Sequence, residues 1–426
     1  MDSPAEPSAE KVTIGMIVAD PAVRVAFLVI FVAMLVFGIV APILPLYARS
    51  FGVSYETTSW MISAFALARL LTDPVAGPLV ERFGERMISM TGVVTVGVSA
   101  LLTAFAPSFG IAVLLRAAGG VGSSLLFTAV YSYLLKVVPP ERMGRTFSLF
   151  YGSLSVGVVA GAPLGGIIAN WWGLASPLIV YSALCFVSGA LYLAFLQDPE
   201  PVPGAAQPIG GDGDGAGSAS VWRTSVATIR ALFRSRAFVL VLALNFTFFW
   251  VVAGGYDTML PLFAREGLDM STVAVGAVFA IAVFAEMGAV YPAGVAADRF
   301  GRKRVLIPGL LALATMMTVV GWATTPVMLG ILTLFLGLSS GSVVPLPASM
   351  LADLIGGGSG MAVGVFRFFG DLGFVLGPAA AGWAADVFGF SAAFALSALP
   401  LLVAFGLALR TPETHRALVA ETRSAA

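Results

Sequence analysis

Gly77-Pro78-Leu79-Val80-Glu81-Arg82-Phe83-Gly84-Glu85-Arg86 and Gly294-Val295-Ala296-Ala297-Asp298-Arg299-Phe300-Gly301-Arg302-Lys303 are one loop written twice. Each follows a long apolar stretch, and the copies lie 217 residues apart. The repeat extends outward from them. Pro45-Leu46-Tyr47-Ala48-Arg49 returns as Pro261-Leu262-Phe263-Ala264-Arg265, and Gly157, Gly161, Gly166 and Gly173 return as Gly373, Gly377, Gly382 and Gly389. The chain is therefore two copies of one half. A parallel repeat of this size in apolar sequence predicts two helical bundles in a membrane, with the working site between them.

Composition supports the membrane reading. Of 426 residues, 58% are hydrophobic and 11% charged, where a soluble domain carries roughly 25% charged residues. The 23 basic and 23 acidic residues cancel, which argues against a nucleic-acid partner. The single Cys185 lies in an apolar run and reads as a small buried hydrophobe. The first apolar run is too long for a cleavable signal, so it is expected to insert and stay.

A helix needs about 20 apolar residues to cross a bilayer. Twelve stretches qualify: 24–48, 58–80, 87–106, 109–136, 145–170, 174–196, 237–262, 271–296, 304–323, 326–353, 361–386 and 390–410. The expected fold is all-α, with twelve transmembrane helices in two six-helix pseudo-symmetric bundles, 24–196 and 237–410. With the N-terminus in the cytoplasm, 18 of the 23 basic residues fall inside, Arg49 and Arg265 fall outside, and Arg69, Arg116 and Arg367 lie within spans. This puts the tails 1–23 and 411–426 and the linker 197–236 in the cytoplasm of a multi-pass cell (inner) membrane protein. Residues 197–220 are Pro/Gly/Ser-rich linker, and Gly211-Asp212-Gly213-Asp214-Gly215 lacks the closing Glu of a calcium loop. Residues 221–236 read as a basic amphipathic helix on the inner surface.

In the repeated loop, the first glycine (Gly77, Gly294) is expected to let helices approach closely. The carboxylate (Glu81, Asp298) is expected to meet an arginine or a helix N-terminus, and the second glycine (Gly84, Gly301) to make a tight turn. These residues resemble the signature Gly-x-x-x-Asp-Arg-x-Gly-Arg/Lys-Arg/Lys of the major facilitator superfamily. The second copy matches through Arg299, Arg302 and Lys303. The first has Arg82 in place but Glu81 for Asp and Glu85 for a basic residue. Within that superfamily the chain is similar to the twelve-span drug/proton antiporters. Arg116 followed by Gly120 resembles their Arg-x-x-x-Gly motif, and Gly161, Pro163 and Gly166 resemble the Gly-Pro-x-x-Gly-Gly motif of span five with the proline one residue late. The repeat counterparts are Gly377 and Pro378, in the expected order. A small-residue packing face predicts the same glycines. Span one has no acid, so the proton carrier is expected elsewhere.

Charges inside a membrane cost about 2.5–3.5 kcal/mol on insertion scales, so each asks for a partner or a task. Glu286, mid-span, has no basic residue near it in sequence and reads as a proton carrier or as a hydrogen-bonded structural acid. Asp257, Asn245 and Arg116 are further candidates for proton coupling or the substrate cavity, while Asp353 reads as a solvated boundary residue. Arg69/Asp73 and Arg367/Asp371 lie four apart on spans two and eleven, and each pair could neutralise itself along its own helix. The resemblance implies that these spans face each other, which would set Arg69 against Asp371 and Asp73 against Arg367 as an inter-bundle gate closing the cytoplasmic mouth.

These features imply a secondary transporter working by alternating access, proton-coupled and exporting amphipathic organic compounds, without cofactor or metal, as a monomer. An importer or uniporter of a small metabolite is the alternative. A membrane-embedded enzyme is disfavoured, since the only histidine is His415 and no span can supply a Ser-His dyad or histidine metal site. No Gly-x-x-x-x-Gly-Lys loop is present for ATP.

Overall fold

The computed structural model describes residues 21–137, 140–195, 233–355 and 360–414. Most of the linker and its basic segment, His415 and nearly all of the N-terminal tail lie outside these residues. In chain order the helices are α1 (Pro21–Val40), α2 (Leu44–Arg49), α3 (Tyr55–Phe83), α4 (Glu85–Ala104), α5 (Phe109–Val137), α6 (Pro140–Trp172) and α7 (Ser176–Phe195). They continue as α8 (Arg236–Gly267), α9 (Thr272–Phe300), α10 (Arg302–Val320), α11 (Pro326–Val343), α12 (Leu346–Ile355), α13 (Gly360–Phe388) and α14 (Phe390–Arg410). No strand occurs among the described residues. Eight segments there are long and apolar enough to cross a membrane. The 29-residue α3 is not one of them, because Glu56, Arg69, Asp73, Glu81 and Arg82 interrupt it. Large apolar side chains such as Leu114, Val327 and Tyr291 stand exposed, a surface suited to lipid rather than water.

The repeat is visible in local chemistry. Ser54 and Ser271 cap α3 and α9 by accepting from the backbone N–H of Thr57 and Ala274. Gly84 and Gly301 have φ of +82° and +98° and turn the chain between α3 and α4 and between α9 and α10, as the spacing predicts. The first and seventh predicted spans differ from expectation. Pro42, which lacks a backbone donor, breaks the first into α1 and α2. Its repeat position is Thr258, and α8 instead runs unbroken to Gly267, widening into π-helical turns over Val251–Met259 and Phe263–Gly267. Thr258 Oγ1 donates to the Ala253 carbonyl at 2.6 Å, five residues back. The predicted tenth span is likewise divided, between α11 and α12, at Val344-Pro345.

Packing repeats as well. Helix α4 packs on α5, α3 on α5 and α1 on α6; their counterparts α10 on α11, α9 on α11 and α8 on α13 do the same. Across the halves, α3 lies against α13 and α6 against α9.

Candidate functional site

The two cross-half seams are closely packed at one end. At the Arg49 end, a Cβ added to Gly382 would strike Ser59 and the Tyr55 carbonyl; on Gly276 it would strike the Ala162 carbonyl, and on Gly166 that of Thr272. At the Gly84 end, a Cβ on Gly77, Gly294 or Gly364 would meet nothing within 4 Å. The close approach expected at Gly77 and Gly294 is not made in this structure.

The charged residues of α3 and α13 meet across the two halves. Arg69 pairs with the buried Asp371, and Arg367 Nη2 lies 3.4 Å from Asp73 Oδ2. Ser124 of α5 donates to the other oxygen of Asp73, and the Arg69 guanidinium lies 5.8 Å from the Phe374 ring centroid. The ion pairs run between helices, and the antiparallel register sets each residue beside its partner. Both pairs are made in a structure whose Arg49 end is closely packed. They are the two cross-helix pairs that the sequence reading named for a gate near the cytoplasmic side.

A second cluster lies in the other half. Glu286 of α9 accepts from Ser340 Oγ of α11 at 2.7 Å. The π-helical stretch of α8 brings the buried Asp257 and Tyr256 within electrostatic reach of Glu286. Among the described residues neither carboxylate has a cation within ion-pair distance. Asn245 is not a free cavity residue: its Nδ2 donates to the Phe366 carbonyl at 2.7 Å and ties α8 to α13. Arg116 is 7% exposed, with its guanidinium 4.6 Å from the Phe65 ring centroid. It has Tyr181 near it and no carboxylate in ion-pair range among the described residues. Its neighbours belong to the first half and those of Glu286 to the second.

The glycines of α6 and α13 do packing work at repeat-equivalent places. Gly161 meets the α1 backbone at Leu35 and Ile39, while Gly377 meets α8 at the Trp250 carbonyl. Pro163 and Pro378 lie inside the same helices.

The repeated loops are each braced to a neighbouring helix. Arg302 pairs with Asp298 at 2.6 Å and with Asp353 at 3.2 Å. Asp353 is thus a partner, not a solvated boundary residue. In the first half Lys136 Nζ lies 2.5 Å from the buried Glu85, which also accepts from Ser132 at 2.8 Å. Glu85 is the repeat position of Arg302, and Lys136 that of Asp353. The same brace is built twice with its signs exchanged, so the departure at Glu85 is compensated. Glu85→Gln is expected to lower the unfolding midpoint in detergent by several degrees. Stranding the partner of a largely buried pair costs about 3 kcal/mol, less where, as with Lys136, one partner is partly solvated. The exchange Glu85→Arg with Lys136→Asp is expected to restore most of it, which thermal melts of the two variants beside the parent protein would show.

Repeated halves of apolar helices around buried charges define a multi-pass membrane transporter rather than an enzyme. The chain belongs to the Major Facilitator Superfamily, whose profile matches residues 26–294 and 274–425. It is 23% identical over 385 residues to multidrug resistance protein 2 of Bacillus subtilis (strain 168), covering 89% of this chain and 92% of that one. It is 25% identical over 375 residues to multidrug resistance protein MdtG of Klebsiella pneumoniae (strain 342), covering 85% and 86%. In three dimensions it is similar, with a TM-score of 0.75 at 13% identity, to a bacterial homologue of the human lysosomal transporter Spinster in its inward-facing, occupied conformation. That alignment covers 92% of this chain and 98% of the other.

Proposed function

We propose that the protein is a proton-coupled secondary transporter that exports amphipathic organic compounds by alternating access. The observation that carries this reading is the pair Glu286 and Asp257, two carboxyl groups in apolar surroundings with no cation in ion-pair range among the described residues. Such groups can take up and release protons as solvent reaches them from alternate sides. The relatives' names as multidrug resistance proteins support an apolar cargo, as do the many aromatic and aliphatic side chains of the spans. The proposal includes twelve spans in two six-helix bundles, 24–196 and 237–410, with both tails and the 197–236 linker in the cytoplasm of the inner membrane. On that topology the Gly84 end is cytoplasmic and the closely packed Arg49 end is external.

The test is transport in proteoliposomes with an imposed pH gradient and a panel of labelled amphipathic cations, neutral amphiphiles and small polar metabolites. The expected result is accumulation of amphipathic compounds against their gradient when protons flow the opposite way. Movement of a polar metabolite along with protons would replace this reading with an importer.

A further inference from the structure

At the Arg49 end, beyond the packed glycines, the donors come from one half and the carboxylates from the other. Arg49 grips Glu266 with two nitrogens, Nε at 2.9 Å from Oε1 and Nη2 at 3.0 Å from Oε2. The Tyr55 hydroxyl donates to the same Glu266 at 2.7 Å, and the Arg49 guanidinium lies 4.4 Å from the Tyr55 ring centroid. Asp386, at the end of α13, accepts from the backbone N–H of Tyr55 at 2.9 Å and of Glu56 at 2.8 Å. The Tyr55 ring packs edge-on against Phe390, with centroids 5.0 Å apart.

The repeat shows that this network is an addition. Arg265, the counterpart of Arg49, donates to the Met270 carbonyl as Arg49 does to Val53, so the loop geometry is shared. Yet Ser50 occupies the repeat position of Glu266, and Asn170 that of Asp386. Among the described residues, the other cross-half seam has only the Thr272 hydroxyl donating to the Gly166 carbonyl at 3.1 Å. Among those residues, the seam formed by α3, α13 and the tip of α8 alone carries bidentate and charge-assisted bonds, which are stronger and more directional than neutral ones. Parting the halves at this end breaks every one of them together. The Arg49–Glu266 pair is about one quarter exposed on each side, so water can replace its bonds and the network can open on every cycle.

We propose that Arg49, Tyr55, Glu266 and Asp386 form a releasable clasp that holds the Arg49 end of the transport path shut. The proposal rests on the alternating-access reading, and its first test needs no substrate. The probe is Ser63→Cys on a Cys185→Ser background. Ser63 is fully buried in the seam, donating to the Val375 carbonyl at 2.7 Å. An impermeant maleimide is added to the Arg49 face of intact cells, with a cysteine at Ser108 reporting that this face is reached. The expected result is slow labelling with the clasp intact. Glu266→Gln combined with Asp386→Asn should speed it about tenfold, as a tenfold rise in the open population would. The exchange Arg49→Glu with Glu266→Arg should bring it back towards the slow rate, which a misfolded protein would not do. Equal labelling in all variants, at normal expression and melting temperature, would overturn the clasp. In a second arm, cysteines at Arg49 and Glu266 are bridged by a short reducible bis-thiosulfonate. Transport is expected to stop on bridging and return on reduction; a bridged protein that still transports would overturn the clasp too. If no compound is transported at all, the labelling result stands alone and the failure belongs to the transport reading.

Discussion

Glu286→Gln is expected to abolish pH-driven accumulation while leaving substrate exchange. One proton moving through about 100 mV supplies about 2.3 kcal/mol, enough to concentrate a neutral cargo roughly 50-fold. A carrier that no longer takes up that proton can only equilibrate its cargo. Gln keeps the size of Glu and can still accept the bond from Ser340 Oγ, 2.7 Å away in the native protein, so the packing of α9 on α11 should survive. The readout is the ratio of inside to outside label under an imposed gradient, beside counterflow exchange without one. Loss of the first with retention of the second is the expected pattern. If the Gln variant still concentrates its cargo, Glu286 is a structural acid and Asp257 in the π-helical stretch becomes the carrier to test. Ser340→Ala separates these cases further, since it removes the hydrogen bond but leaves the carboxyl in place.

The helices and their repeat were legible because they depend on composition and period, which a chain carries openly. The cross-half pairing of Arg69 with Asp371 was legible only through the family resemblance, which implies that spans two and eleven face each other; the spacing of four alone allowed pairing along each helix just as well. The partner of Glu286 was not legible. Ser340 lies 54 residues away and belongs to no pattern that marks it out among the serines of α11. The π-helical turns that place Asp257 were invisible too, since Pro261 alone does not say whether a helix will break, as at Pro42, or widen. The brace at Glu85 could have been found. Carrying the 217-residue offset to Lys136 leads to Asp353, and the doubled change of sign then explains both halves. Read one residue at a time, Glu85 was a departure and Asp353 a solvated end. The clasp gave the weakest signal, because Glu266 and Asp386 look like ordinary loop acids until the structure sets them against the other half. The role assigned to Gly77 and Gly294 was not met either: a Cβ at these positions would touch nothing within 4 Å, because a glycine's place in a repeated pattern does not say what stands opposite it.

Asp73→Arg and Arg367→Asp are each expected to lose most transport, and the two together to recover a good part of it. In the structure each arginine meets the aspartate of the other helix, Arg69 with Asp371 and Arg367 with Asp73. Asp73→Arg would place three cations at one depth of the α3–α13 seam, with Asp371 alone to answer them. Arg367→Asp would do the reverse with three acids and Arg69. Stranding a charge in a buried pair costs about 3–5 kcal/mol, whereas reversing both partners keeps the sum of charge and most of the Coulomb gain. The penalty at this site lies below that range, because the Arg367 side chain is 54% exposed and water can solvate it. Asp371, with 8% side-chain exposure, has no such relief. Hence Asp371→Asn is expected to cost more stability than Asp73→Asn, a ranking that thermal melts in detergent would check. The double exchange also decides between the two ways of pairing. If neutralisation ran along each helix, Asp73→Arg with Arg367→Asp would leave two arginines on α3 and two aspartates on α13. Neither single defect would then be repaired within its own helix. A double variant no better than the worse single, at normal expression, would therefore remove the cross-half pairs from the mechanism. Recovery would show that the cross-half pairs, and not pairs within α3 or α13, carry what these four residues contribute to transport.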